Sequence, residues 1–361
     1  MLDAQVRPSD LTRLEGKGFQ LLDAGPSLQL KFLWFNQNPR TPNLSPFKRQ
    51  WFASADFRRA VSRAISRRAI VETVFQGRAE EAWSLMPSSI RIWHAPSVRK
   101  YPYDPVQARR LLMKAGFSWI EEGGGTRLVD AQGRPVQFEI FCPSDQQWGR
   151  IAAVIQQDLE LLGMEVAVRQ EELRALRSRV MGSYDYEAAI MGIDFPYEPV
   201  EHQNVLFSSS SMHFWNPAQE SAATEWEAEV DRLLLKQITT LELEERQLLF
   251  RRIQEILAEE LPFLPLVNPN TLVAASPAIQ GLRPVAVISL SGLILGGLLS
   301  GSVVVERVFG WPGLGELTVA SILARDLYVA LNCVLVASGL LILANFAADI
   351  VLACNDPRVR A

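Results

Sequence analysis

Two long stretches without a charged side chain, residues 285–305 and 327–348, constrain this 361-residue chain more than any other feature. At 1.5 Å per helical residue each reaches about 30 Å, the hydrocarbon thickness of a bilayer. A buried core helix is the other reading of either run. Both exceed the roughly 18 residues that separate spanning helices from core helices, so two transmembrane helices are expected. Gly292, Gly296, Gly297, Ser300 and Gly301 in the first run suit close helix–helix approach.

Before Pro284 the texture is different. Charges recur every few residues and no long apolar run appears. The net charge of -4 gives no general attraction to nucleic acid. The chain therefore divides, by composition, into residues 1–283 and 284–361. No basic start followed by an apolar core stands at Met1, so no secretory signal peptide is expected there. The three cysteines, Cys142, Cys333 and Cys354, form no CxxC pair and indicate no redox compartment.

Within 1–283, helix and strand signals alternate. Asp56 is the expected cap of one helix running to Phe75. Asp104, followed by Pro105, caps a second that Gly116 stops. Further helices are expected over 150–162, 173–181, 226–237 and 243–260. Strands are expected over 136–141, 165–168, 186–193, 263–267 and 271–274. This mixed α and β pattern predicts an α+β domain with a sheet covered by helices.

Catalytic and cofactor signatures are missing from the sequence: no HExxH, GxSxG or P-loop is present. The glycines at 123–125 lie between strand-like runs and read as a hairpin turn rather than a phosphate cradle. His94, His202 and His213 lack metal-ligand spacing, and His202 and His213 are expected in a polar loop. No cofactor and no metal are expected. Arg59, Arg63 and Arg67 recur at helical spacing and predict a solvated stripe, without interleaved aromatics for base stacking. Trp34, Trp93, Trp148 and Trp215 stand at expected loop or strand-end positions. There they could line an apolar, adaptable ligand pocket, or serve as ordinary core residues.

These residues resemble two families, one on each side of the seam. FLWFNQNP, DFRRAVSRAISRRAIVETVFQG, KYPYDPVQARRLLMKAGF, YDYEAAIMGIDFPYEP and ERQLLFRRIQEILAEELPFLPL occur in one order. In that order they are similar to the C-terminal part of a family 5 (peptide/nickel) ABC transporter solute-binding protein. Residues 284–361, with FGWPGLG and NDPRVRA, resemble the C-terminal part of a dipeptide/oligopeptide-type ABC permease. The resemblance implies the C-terminal lobe of a periplasmic-binding-protein-like (type II) two-lobed fold, followed by two transmembrane α-helices. It places the stretches 1–36 and 267–283 in the other lobe. It implies no enzymatic activity. The expected partners are a small peptide or similar solute, permease and ATPase subunits, and membrane lipid, with no nucleic acid. The expected location is the cell membrane, multi-pass. A fusion of two partial genes that captures and transports a solute is one functional reading. A membrane-tethered sensing module and an inactive remnant are the others.

In peptide-binding members of the family an aspartate in an Asp-x-x-Glu/Asp-Pro motif pairs with the ligand's α-ammonium. Asp194 in GIDFPYEP matches it, with one residue too many before Glu198–Pro199. Asp194 and Glu198 are therefore alternative holders of that role, and a turn-capping Asp194 is a third possibility. Trp34 and Trp215 are the expected aromatic ligand contacts.

Overall fold

A computed structural model describes residues 10–122 and 124–275, with Leu317, Thr318, Ser321 and a few helical residues between Tyr328 and Val336. The chain divides into two units, Met1–Gln280 and Gly281–Ala361. In the first, the chain runs α1 (Leu11–Glu15), β1 (Gln20–Pro26), β2 (Gln29–Phe35), α2 (Pro46–Ala53), α3 (Ala55–Ala64), α4 (Arg67–Phe75) and β3 (Ala79–Glu81). It continues through α5 (Pro105–Lys114), β4 (Ser118–Glu122), β5 (Gly125–Val129), β6 (Gln137–Pro143), α6 (Gln146–Glu160), β7 (Glu165–Glu171), α7 (Leu173–Ser178) and β8 (Ala188–Asp194). It ends with α8 (Gln203–Leu206), α9 (Glu225–Thr239), α10 (Leu243–Glu260) and β9 (Phe263–Ala275).

The main sheet has the order β1-β9-β2-β8-β6-β7, with β3 also paired to β9. Strands β6, β7 and β8 are parallel, and β2 runs antiparallel to both β8 and β9. Period-two alternation sorts β2 cleanly. Leu33 and Phe35 join one core, built with Phe57, Val61, Ile70, Ile151 and Ile155 of α3, α4 and α6. Leu30, Phe32 and Trp34 join the other, built with Leu233, Leu234, Phe250 and Ile253 of α9 and α10. The sheet is thus covered by helices on both faces; the covering was expected from sequence, while the parallel β6, β7 and β8 make the fold mixed α/β rather than plain α+β.

Several local expectations hold. Asp104 caps α5 by accepting from Gln107 N at 2.9 Å, and α10 occupies 243–260 as read. Strands β4 and β5 pair as a hairpin, with Glu122 opposite Gly125. At Gly163, which ends the α6 segment at φ +86°, a β-carbon would stand 2.7 Å from the Thr126 carbonyl, so only glycine fits.

Others are corrected. The single helix expected from Asp56 to Phe75 is two, because Ile65 is extended and Ser66 caps α4 by accepting from Ala69 N. Ser54, not Asp56, caps α3, and Asp56 instead meets Lys114 and Arg59. The break takes Arg67 out of the predicted solvated stripe. Arg67 and its neighbour Arg58 are 2% and 1% exposed. Arg67 donates to the carbonyls of Ser62 and Pro265, and Arg58 to those of Phe52, Glu260 and Leu261. The two short strands expected near 263–274 are one, β9. The stretch 1–36 does not lie wholly apart from this lobe, since β2 is a central strand with a nearly continuous buried run.

Among the described residues no helix is long and apolar enough to cross a membrane. The expected span 285–305 lies outside the described residues, as does most of 327–348.

Candidate functional site

Strands β6 and β8 are parallel neighbours, so their carboxyl ends, Pro143 and Asp194, open on one side of the sheet. Ligands of parallel α/β sheets bind in the crevice beyond such ends. A cavity of about 650 Å³ lies there. Its lining includes Gln29 and Lys31 of β2, Gly192 and Asp194 of β8, and Asp145 and Trp148 at the start of α6.

Register explains why these side chains meet. Gln29 stands opposite Asp194 and Lys31 opposite Gly192. All four positions share the sheet face that carries Leu33, Phe35, Ala188 and Ile190 further along the strands. The apolar face of the sheet therefore turns polar where it reaches the cavity. Asp194 is exposed, and Gln29 Nε2 donates to its Oδ1 at 3.2 Å. Asp145 caps α6 by accepting from Gln147 N at 2.9 Å. Across from Lys31, a β-carbon at Gly192 would come within 3.2 Å of the Trp148 indole, so the glycine leaves room for that ring against β8.

Lys31 is 3% exposed, and its Nζ sits 3.7 Å from the centroid of the Trp148 ring. Burial pushes its ammonium down to about 7, partly opposed by the charges of Asp145 and Asp194. Sequence reasoning missed Lys31. Its signal was a lysine interrupting an otherwise apolar strand, QLKFLWF, whose neighbours on the same strand are buried.

Of the four residues expected to contact ligand, only Asp194 lines this cavity. Glu198 is engaged by Arg246 of α10, Nη2 to Oε2 at 3.0 Å. Trp34 and Trp215 are 0% and 1% exposed, in the core on the opposite sheet face. Their indole N–H groups donate within the protein, to Tyr186 Oη and Glu227 Oε1. Trp93 is likewise core, and Trp148 is the tryptophan that reaches the cavity. His202 and His213 are each 1% exposed rather than in a polar loop. Among the described residues no His, Cys, Asp and Glu cluster has the makings of a metal site.

The cavity thus lies beyond parallel strand ends and is lined by charges of both signs and an indole. Residues 2–212 match the family model for bacterial extracellular solute-binding proteins, family 5, and the chain belongs to that family. Residues 284–361 match the model for the inner membrane component of binding-protein-dependent transport systems. The glutathione-binding protein GsiB of Shigella flexneri is 27% identical over 270 residues, covering 74% of this chain and 48% of the relative. GsiB of Escherichia coli K12 is 26% identical over the same length. The chain thus spans about half the length of the curated relatives it matches. Its fold is that of oligopeptide-binding AppA from Bacillus subtilis, solved with a nonapeptide (TM-score 0.63, 22% identity, 77% of this chain and 52% of that one). NikA from Brucella suis, solved with Fe(III)-EDTA, is similar too (TM-score 0.63, 21% identity, 78% and 54%). The relatives so named are binding proteins for glutathione and for oligopeptides.

Proposed function

We propose that the chain is a solute-capture and permease component of an ABC importer, joining a partial solute-binding domain, 1–283, to a partial permease domain, 284–361. The two uncharged stretches supply membrane spans, and further permease and ATPase subunits complete the pathway. The ligand is a short peptide or peptide-like solute of the kind that GsiB's name records, glutathione among the candidates. Asp194 receives its α-ammonium, since a charge-assisted bond there fixes both affinity and register. The observation that supports this most is the position of Asp194: exposed, at the carboxyl end of β8, on the cavity wall. Glu198, held by Arg246, is left with a structural role.

Calorimetry on the full chain tests the assignment. Asp194→Ala is expected to weaken a free tripeptide by roughly 1.5–3 kcal/mol, the scale of a charged hydrogen bond, and its N-acetylated form much less. Equal losses for the two peptides would remove Asp194 from the role.

A further inference from the structure

Lys31 is a buried charged group of the cavity that the ammonium-binding role leaves unused. Its ammonium carries three donors. Among the described residues the ammonium makes no hydrogen bond or ion pair, and it stands 3.7 Å from the centroid of the Trp148 ring and 6.0 Å from that of Phe75. A buried cation resting on an aromatic face recovers part of its lost hydration, but its N–H groups still want an oxygen. The side chain is 3% exposed and lines the same cavity as Asp194. Lys31 pairs with Gly192, two residues before Asp194 on the neighbouring strand, so the two charges are diagonal neighbours on one sheet face.

Resting on Asp194 as the ammonium acceptor, we infer that Lys31 is an anion subsite for a carboxylate carried close to the ligand's ammonium. The ligand class is then a solute with a free α-amino-acid head, its positive end on Asp194 and its negative end on Lys31. Three acidic side chains, Asp145, Glu172 and Asp194, line the cavity with Lys31, Arg78 and Arg177. That balance suits a singly charged carboxylate inside a zwitterion better than a multiply charged anion. A peptide with only α-linkages carries its ammonium beside an amide, whereas a γ-linked glutamyl head keeps ammonium and carboxylate on one carbon.

Binding is also linked to protons. Desolvation holds the free Lys31 ammonium at about 7, and a bound carboxylate restores its affinity for the proton. Asp145 from the turn before α6, Asp194 from β8, Arg78 beyond α4, and Glu172 and Arg177 around α7 are the other charged groups facing the cavity. Near pH 8 the complex should take up a proton from buffer.

The experiment is calorimetry of the full chain with γ-glutamylglycine and with its α-carboxamide, near pH 8, in buffers of different ionisation enthalpy. Wild type is expected to bind the carboxylate form at least roughly tenfold tighter, with proton uptake. Lys31→Met should lose the preference and the uptake. Lys31→Arg should keep the preference without the uptake, because a guanidinium does not titrate there. The inference is overturned if wild type does not distinguish the two compounds or binds neither at millimolar concentration. It is also overturned if Lys31→Met still distinguishes them, or if Lys31→Arg still takes up a proton. N-acetyl-γ-glutamylglycine tests Asp194 separately: binding undiminished by acetylation removes the ammonium role alone.

Discussion

Glu227 shows how far one buried carboxylate can organise a loop. It is 2% exposed and accepts from Trp215 Nε1 at 2.9 Å, Gln219 Nε2 at 3.0 Å and Thr224 Oγ1 at 2.9 Å, and it meets His213 Nε2 at 3.2 Å. Burial alone would raise its pKa. The hydrogen bonds from His213, Trp215 and Gln219 outweigh that and hold it at about 2. A carboxylate depressed in the folded state binds fewer protons than in the unfolded chain. Its contribution is therefore full above about pH 5 and is lost as pH falls toward 2. Glu227→Gln is expected to cost about 3 kcal/mol at neutral pH, with the deficit shrinking steadily below pH 4. Urea titrations at several pH values check this; a deficit independent of pH would contradict it. His202 works in the same direction, since burial lowers it to about 4 and acid must charge it on unfolding.

At the scale of elements, the junction of α3 and α4 depends on two arginines that act as internal braces. Arg67 joins three segments by donating to Ser62 O, Ala82 O and Pro265 O, and stacks over Trp83 with 4.2 Å to the ring centroid. Burial lowers it to about 9, so it stays charged at neutral pH. A lysine at this place presents one point of donation where the guanidinium fork reaches several carbonyls. Arg67→Lys should destabilise the lobe by about 2–4 kcal/mol, read from the urea midpoint, because carbonyls are left buried and unpaired. Arg63→Lys, on the half-exposed face, should stay within about 0.5 kcal/mol.

For the lobe as a whole, stability should be graded across the sheet. Strand β2 lies between β8 and β9 with both faces buried. Among the described residues, the hydrophobic cluster at strand β1 and the outer half of β9 is a small one, Leu272 and Ala274 with Leu14, Phe19 and Leu21. Amide hydrogen exchange on the full chain should therefore show Phe32 and Leu33 protected at least about tenfold more than Leu21, Leu22 and Val273. Equal protection across the sheet would contradict the grading.

The sequence by itself determined what local pattern controls. It showed the compositional seam at Pro284, the cap at Asp104 with Pro105 after it, the two C-terminal helices of the lobe, and the strands later found as β6, β7 and β8. Order and motif were enough for the family. Tertiary structure alone decided which side chains are buried and which converge. Asp194 and Gln29 are 165 residues apart in sequence and meet only because β2 inserts between β8 and β9. The same pairing puts Trp34 in the core and Lys31 at the cavity, since residues of opposite parity on one strand face opposite sides of the sheet. Burial of Arg58 and Arg67 was equally hidden. Helical spacing finds a stripe of charges but cannot say that the helix breaks at Ser66, or that distant carbonyls will come to meet them.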